Sequence, residues 1–177
     1  MTPDFARDHF ELLGLPARFS VDPAALERGY RAMQSQVHPD RFASATEAER
    51  RVAMQWASRA NEAYRTLRDP LERARYLLQM RGYDTEEESN TSMPADFLMQ
   101  QMEWREAVDA ARDVADVRAL QRLRGDIGRT RAEMLGVLER ALDADANFVA
   151  GCSLVRKLRF LEKLEAEIES ALELTEH

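Results

Sequence analysis

The chain has 177 residues, 45% of them hydrophobic and 32% charged, with a formal charge of −7, the balance of a helix-rich globular protein long enough to bury a core. That acidic balance argues against a role built on nucleic-acid backbones. Cys152 is the only cysteine, so an intrachain disulfide and a Cys-rich zinc site are both excluded.

No run is long and apolar enough to span a membrane. Asp4, Arg7, Asp8 and His9 replace the apolar segment of a signal peptide, so the expected location is the cytoplasm. In chain order, a short helix is predicted from about Asp4 to Leu13, ending at Gly14 with Pro16 close behind. Asp22 before Pro23 is an N-cap followed by proline at the first helical position. The helix it opens runs to about Val37, with Leu26, Tyr30, Met33 and Val37 in one narrow arc at ~100° per residue. The next starts near Thr46, with Glu49 completing a capping box, and continues to about Leu67. Its stripe is Val52, Trp56, Ala60, Ala63 and Leu67. Asp69-Pro70 repeats the cap-plus-proline signal and opens a helix to about Met80, which Gly82 ends.

Residues 83–93 read as an acidic, polar linker, with Glu86, Glu87 and Glu88 as solvated loop. Three longer helical patterns follow, at about 95–112, 116–142 and 147–172. The second carries Val117, Leu120, Ile127, Met134, Leu138 and Leu142; the third Leu154, Leu158, Leu161, Ile168 and Leu172. Short connections make them an antiparallel three-helix bundle. The fold class is therefore all-α: a helical hairpin with short flanking helices over residues 1–82, then a bundle over 94–177.

Two features stand out. His38-Pro39-Asp40 fills the gap between the two amphipathic helices of the hairpin, where Pro39 disfavours helical geometry at His38 and stiffens the chain. An imidazole and a carboxylate are thereby held together at a hairpin tip. As a bare string the tripeptide reads more simply as an exposed helix cap; its place between the helices reverses that preference. The second feature is the helix after the linker, which has two apolar faces. Phe97, Trp104, Val108 and Ala111 form a core stripe, while Leu98, Met99 and Met102 lie ~100° to ~200° away. Glu103 and Glu106 border this second patch, with Asp109 nearby. An apolar patch with a charged rim points to a protein-binding surface, which methionine suits; the alternative is a contact with the first domain. Phe160 lies ~100° off its own helix's stripe, and either caps the core edge or extends the patch.

The order of helices around His-Pro-Asp resembles a J domain. More specifically, "FELLGLPARFSVD", "HPDRFA", "NEAYRTLRDPLERARYLL", "FLMQQMEWREAVD" and "VRKLRFLEKL" together resemble the HscB family, J-type co-chaperones of iron–sulfur cluster assembly, over nearly the whole chain. The resemblance implies that His38, Pro39 and Asp40 engage an HscA-type chaperone of the DnaK class and stimulate its ATP hydrolysis. Arg28, Arg31 and Arg41 match the basic residues that steer docking, with Asp22 and Glu27 offsetting them. Arg41 stands in place of the lysine common after the motif, and Val37 in place of the common tyrosine before it. It also implies that the bundle binds an IscU-type scaffold through Leu98, Met99, Met102, Glu103, Glu106 and Phe160. Ala110 stands where relatives often carry an acid. No cofactor, metal or membrane partner is implied, and no catalytic activity: the only histidines are His9, His38 and His177, and no P-loop or nucleophile elbow is present. The competing readings are a J protein serving another client through a dimerising bundle, and a structural helical adaptor.

Overall fold

The computed structural model describes residues 7–42, 44–85 and 93–175. Glu86, Glu87 and Glu88, the beginning of the first predicted helix at Asp4, and His177 all lie outside them. The chain forms two compact units, Met1–Met80 and Arg81–His177.

In the first unit, α1 (His9–Leu12) is opened by a capping box between Asp8 and Glu11. It is closed by Gly14 at φ 68°, where Gly14 N–H donates to Glu11 O and Leu15 N–H to Phe10 O. A left-handed residue at this position is cheap only for glycine. Helix α2 (Pro23–Val37) starts at Asp22, whose side chain accepts from Ala24 N–H. Helix α3 (Glu47–Arg68) starts at the Thr46–Glu49 capping box, and α4 (Pro70–Met80) at Asp69, whose Oδ1 accepts from Leu71 and Glu72 N–H.

Helices α2 and α3 run antiparallel: Glu27 meets Tyr64, and Tyr30 further along α2 meets Asn61 further back along α3. Helix α2 approaches the end of α1 so closely at Gly29 that a Cβ there would lie 2.1 Å from Leu13 O. Between the helices Phe10, Leu13, Leu26, Ala60, Ala63, Leu67, Leu71, Ala74, Leu77 and Leu78 are buried, each large side chain contributing about 1.5–3 kcal/mol. Arg73 ties the loop after α1 to this core, donating to Phe19 O at 2.7 Å and Leu67 O at 2.5 Å.

The second unit is a bundle of α5 (Ala95–Asp113), α6 (Val117–Glu139) and α7 (Phe148–Thr175). Its core joins Val108 and Ala111 of α5, Leu120 and Ile127 of α6, and Leu161, Leu164, Ile168, Ala171 and Leu172 of α7. Arg124 pairs with Glu169 and Arg131 with Glu162, which fixes α6 and α7 as antiparallel neighbours. The architecture is all-α, a hairpin unit followed by a bundle, as the periodicity predicts.

Three details differ from the sequence pattern. The regular turns of α6 end at Glu139, and a wide π-type turn, Arg140–Ala144, follows. Its extra residue per turn lets the consecutive Ala141 and Leu142 both face inward. On α7 the buried line passes through Cys152, Val155 and Leu158, leaving Leu154 half-buried. Residues 83–85, polar in composition, lie against the N-terminal half of α7: Tyr83 packs on Phe148 at 5.3 Å, and Arg156 donates to O of the buried Thr85 at 3.0 Å.

Candidate functional site

Pro39 decides the geometry of the first candidate surface. Its ring disfavours helical backbone at the preceding residue, and His38 is extended, at φ −60° and ψ 135°, where α2 ends. A single 3₁₀ turn, Pro39–Phe42, follows at once, closed by Arg41 N–H donating to His38 O at 3.0 Å. Within it, Asp40 N–H donates to His38 Nδ1 at 3.3 Å, and Asp40 Oδ2 lies 3.5 Å from the same nitrogen. A neutral imidazole accepts from the backbone here; a protonated one forms an ion pair with the carboxylate. The side chains remain 58% and 90% exposed, so a fixed backbone presents both to solvent. The Arg41 guanidinium folds back onto Ser35 O at 3.3 Å, satisfying a carbonyl that the helix end leaves open.

Arg28 and Arg31 lie one turn apart on α2, roughly 10 to 15 Å behind the tip at 1.5 Å per residue. Each faces a carboxylate: Arg28 lies 3.7 Å from Asp22, and Arg31 donates to Glu27 at 2.8 Å. Glu27 also accepts from Tyr64 Oη at 2.8 Å. The Tyr64 hydrogen bond, reinforced by Arg31, holds the Glu27 carboxyl below the usual glutamate range and raises Tyr64 above its own.

The second surface is on α5. Phe97 is buried, its ring edge-on to Trp104 and to Phe160 of α7 at 6.5 and 6.1 Å. Leu98, Met99 and Met102 are 42%, 64% and 62% exposed, so the two-faced pattern is real: one face enters the core and the other meets water. Glu103, hydrogen-bonded by Gln100, and Glu106 are exposed beside it. Phe160 is half-buried and packs on the bundle core, at the core edge and against α5 together. The Arg105 guanidinium lies over its ring at 5.3 Å. Arg105 was not singled out by the sequence pattern, yet it follows Leu98 and Met102 at helical spacing and so continues their row to Phe160. Among the described residues, no group of His, Cys, Asp and Glu is arranged to hold a metal, and no helix is long and apolar enough to cross a membrane. The first surface presents an exposed carboxylate on a proline-led turn, and the second an apolar face beside two exposed acids.

Two family models match successive stretches of the chain. A DnaJ domain model matches residues 8–76, and a model described as the HSCB C-terminal oligomerisation domain matches residues 93–169. The co-chaperone protein HscB homolog of Bordetella petrii is 54% identical over 166 residues, covering 94% of this chain and 96% of the relative. Among solved structures, the chaperone HscB from Vibrio cholerae is 36% identical with a TM-score of 0.82, covering 96% of this chain and 99% of that one. Human co-chaperone protein HscB is 28% identical with a TM-score of 0.85, covering 95% and 83% respectively.

Proposed function

Since this chain belongs to the HscB family of co-chaperones, we propose that it is a cytoplasmic adaptor of iron–sulfur cluster biogenesis with one partner for each unit. The J domain, residues 1–82, docks an HscA-type chaperone of the DnaK class and stimulates its ATP hydrolysis. Asp40 supplies a charge-assisted acceptor for a basic group of the chaperone. His38 and Pro39 set the backbone that aims it, and Arg28, Arg31 and Arg41 supply the positive side of the docking face. The bundle, residues 94–177, carries an IscU-type scaffold on Leu98, Met99 and Met102. Glu103 and Glu106 form the rim and Phe160 the half-buried edge.

The observation that supports this reading most strongly is the solvent exposure of Leu98, Met99 and Met102 on a helix whose opposite face buries Phe97, Val108 and Ala111. Three large apolar side chains in water beside two carboxylates suit a partner with an apolar, basic-rimmed surface. The same exposure also fits the oligomerisation named in the bundle's family description, in which case a second copy covers the face. Sedimentation of the full chain with and without scaffold distinguishes these: a monomer that forms a one-to-one complex supports delivery, and a dimer that the scaffold does not dissociate supports self-association.

A further inference from the structure

The arginines assigned to chaperone docking are already engaged within the chain, and one engagement is unusually well anchored. Arg31 Nε donates to Glu27 Oε1 at 2.8 Å, one turn back on α2. The other oxygen of Glu27 accepts the Tyr64 hydroxyl at 2.8 Å from α3. The Tyr64 ring lies nearly parallel to Tyr30, with centroids 4.2 Å apart. Tyr30 is itself fixed by donating to Asn61 and accepting from Gln34, both at 2.6 Å. Arg68 on α3 adds positive charge facing the same carboxylate. An exposed ion pair is ordinarily weak because two flexible side chains must be ordered to form it. Here α3 has already ordered one of them. Glu27 cannot follow Arg31 outward without breaking its bond to Tyr64.

We infer that Glu27, held in place by Tyr64, is an electrostatic brake on chaperone docking: it competes within the chain for Arg31 against the acidic groups of the incoming partner. The inference rests on the proposed function, in which the α2 face docks the chaperone. It makes Glu27 a specificity-determining residue. A partner engages Arg31 only if its own acids are numerous enough to displace an anchored carboxylate, and weakly acidic surfaces are turned away.

The test is a titration of ATP hydrolysis by the HscA-type chaperone with the full chain, with circular dichroism confirming that each variant is folded. Glu27→Gln is expected to lower the concentration for half-maximal stimulation about two- to fivefold at low salt, the gain fading near about 0.5 M salt. Tyr64→Phe keeps the ring stack and the charge but frees the carboxylate, and is expected to give a smaller gain in the same direction. Arg31→Ala is expected to weaken stimulation and to remove at least half of the gain from Glu27→Gln. An unchanged or higher half-maximal concentration in Glu27→Gln overturns the inference, since Glu27 would then present Arg31 rather than withhold it. An equal gain without Arg31 also overturns it, by showing a general effect of charge. Asp40→Ala is the control for the underlying reading. If that variant stimulates like the parent, the docking assignment fails, and the brake falls with it.

Discussion

The hairpin tip and the exposed face of α5, the two surfaces proposed for partner binding, are made in opposite ways. At the tip, one proline, one 3₁₀ turn and two backbone N–H groups fix where His38 and Asp40 stand. The side chains there are largely exposed, 58% for His38 and 90% for Asp40. On α5 the backbone is an ordinary helix, and the surface exists because the chain places large apolar side chains on both of its faces. The tip is expected to act through direction and charge, and the face through buried area. Substitutions should therefore separate partner binding from stability cleanly at the tip and less cleanly toward the core edge of α5.

The largest expected effect is at the tip. Asp40→Ala should reduce stimulation of the HscA-type chaperone about 100-fold or more, as removing one partner of a docked charge pair does. The thermal midpoint should be unchanged, because the side chain is 90% exposed. A fall in the midpoint would show that the tip is structural after all. Next is the triple change of Leu98, Met99 and Met102 to alanine. It removes contacts of about 1 kcal/mol each in a complex, so scaffold affinity measured by calorimetry should fall about 150-fold. Helical content should be retained; loss of the bundle would mean that the patch is core. Phe160→Ala should blur the distinction, since the ring touches Phe97 and Arg105 as well as the core. Urea denaturation should show a cost of about 1–2 kcal/mol, below that of a fully buried ring, alongside weaker scaffold binding.

The smallest effect concerns pH. His9 stacks on Tyr76 at 4.2 Å, and its Nδ1 is buried without a hydrogen-bond partner. Burial lowers its pKa, and Arg59 does so too, against the opposing carboxylates of Glu62 and Asp8. The unfolded chain therefore takes up this proton at a higher pH than the folded one. The His9 contribution is complete above the unfolded value of 6.5 and is lost as pH falls from there through the folded value. Amide exchange in α1 should quicken between pH 7.5 and 5.5 relative to α6 and α7, which carry no histidine. Equal change in both units would remove His9 as the cause.

What could be read along the chain was what short-range chemistry decides. Asp22-Pro23, Thr46 with Glu49, and Asp69-Pro70 each mark a helix start because a cap and its partner lie within three residues. The tip was legible for the same reason, and the exposed side of α5 because one helix cannot bury Phe97 and Met99 on a single face. What escaped depends on residues far apart in sequence. Thr85 is held by Arg156, Phe160 is covered by Arg105, and Glu27 is anchored by Tyr64, and no periodicity reveals such pairs. The wide turn at Arg140–Ala144 escaped because a π-type turn buries two consecutive residues, which a regular helical period does not anticipate.

In the proposed function one chain carries two separable surfaces, one for the chaperone and one for the scaffold. The most direct measurement is ATP turnover by the HscA-type chaperone, with and without the IscU-type scaffold, comparing the parent chain with Asp40→Ala and with the Leu98, Met99 and Met102 triple alanine variant. Asp40→Ala is expected to lose stimulation under both conditions, and the triple variant to keep the scaffold-independent part while losing the increment that scaffold adds. A triple variant that retains the full increment, or an Asp40→Ala chain that stimulates normally, would contradict the assignment.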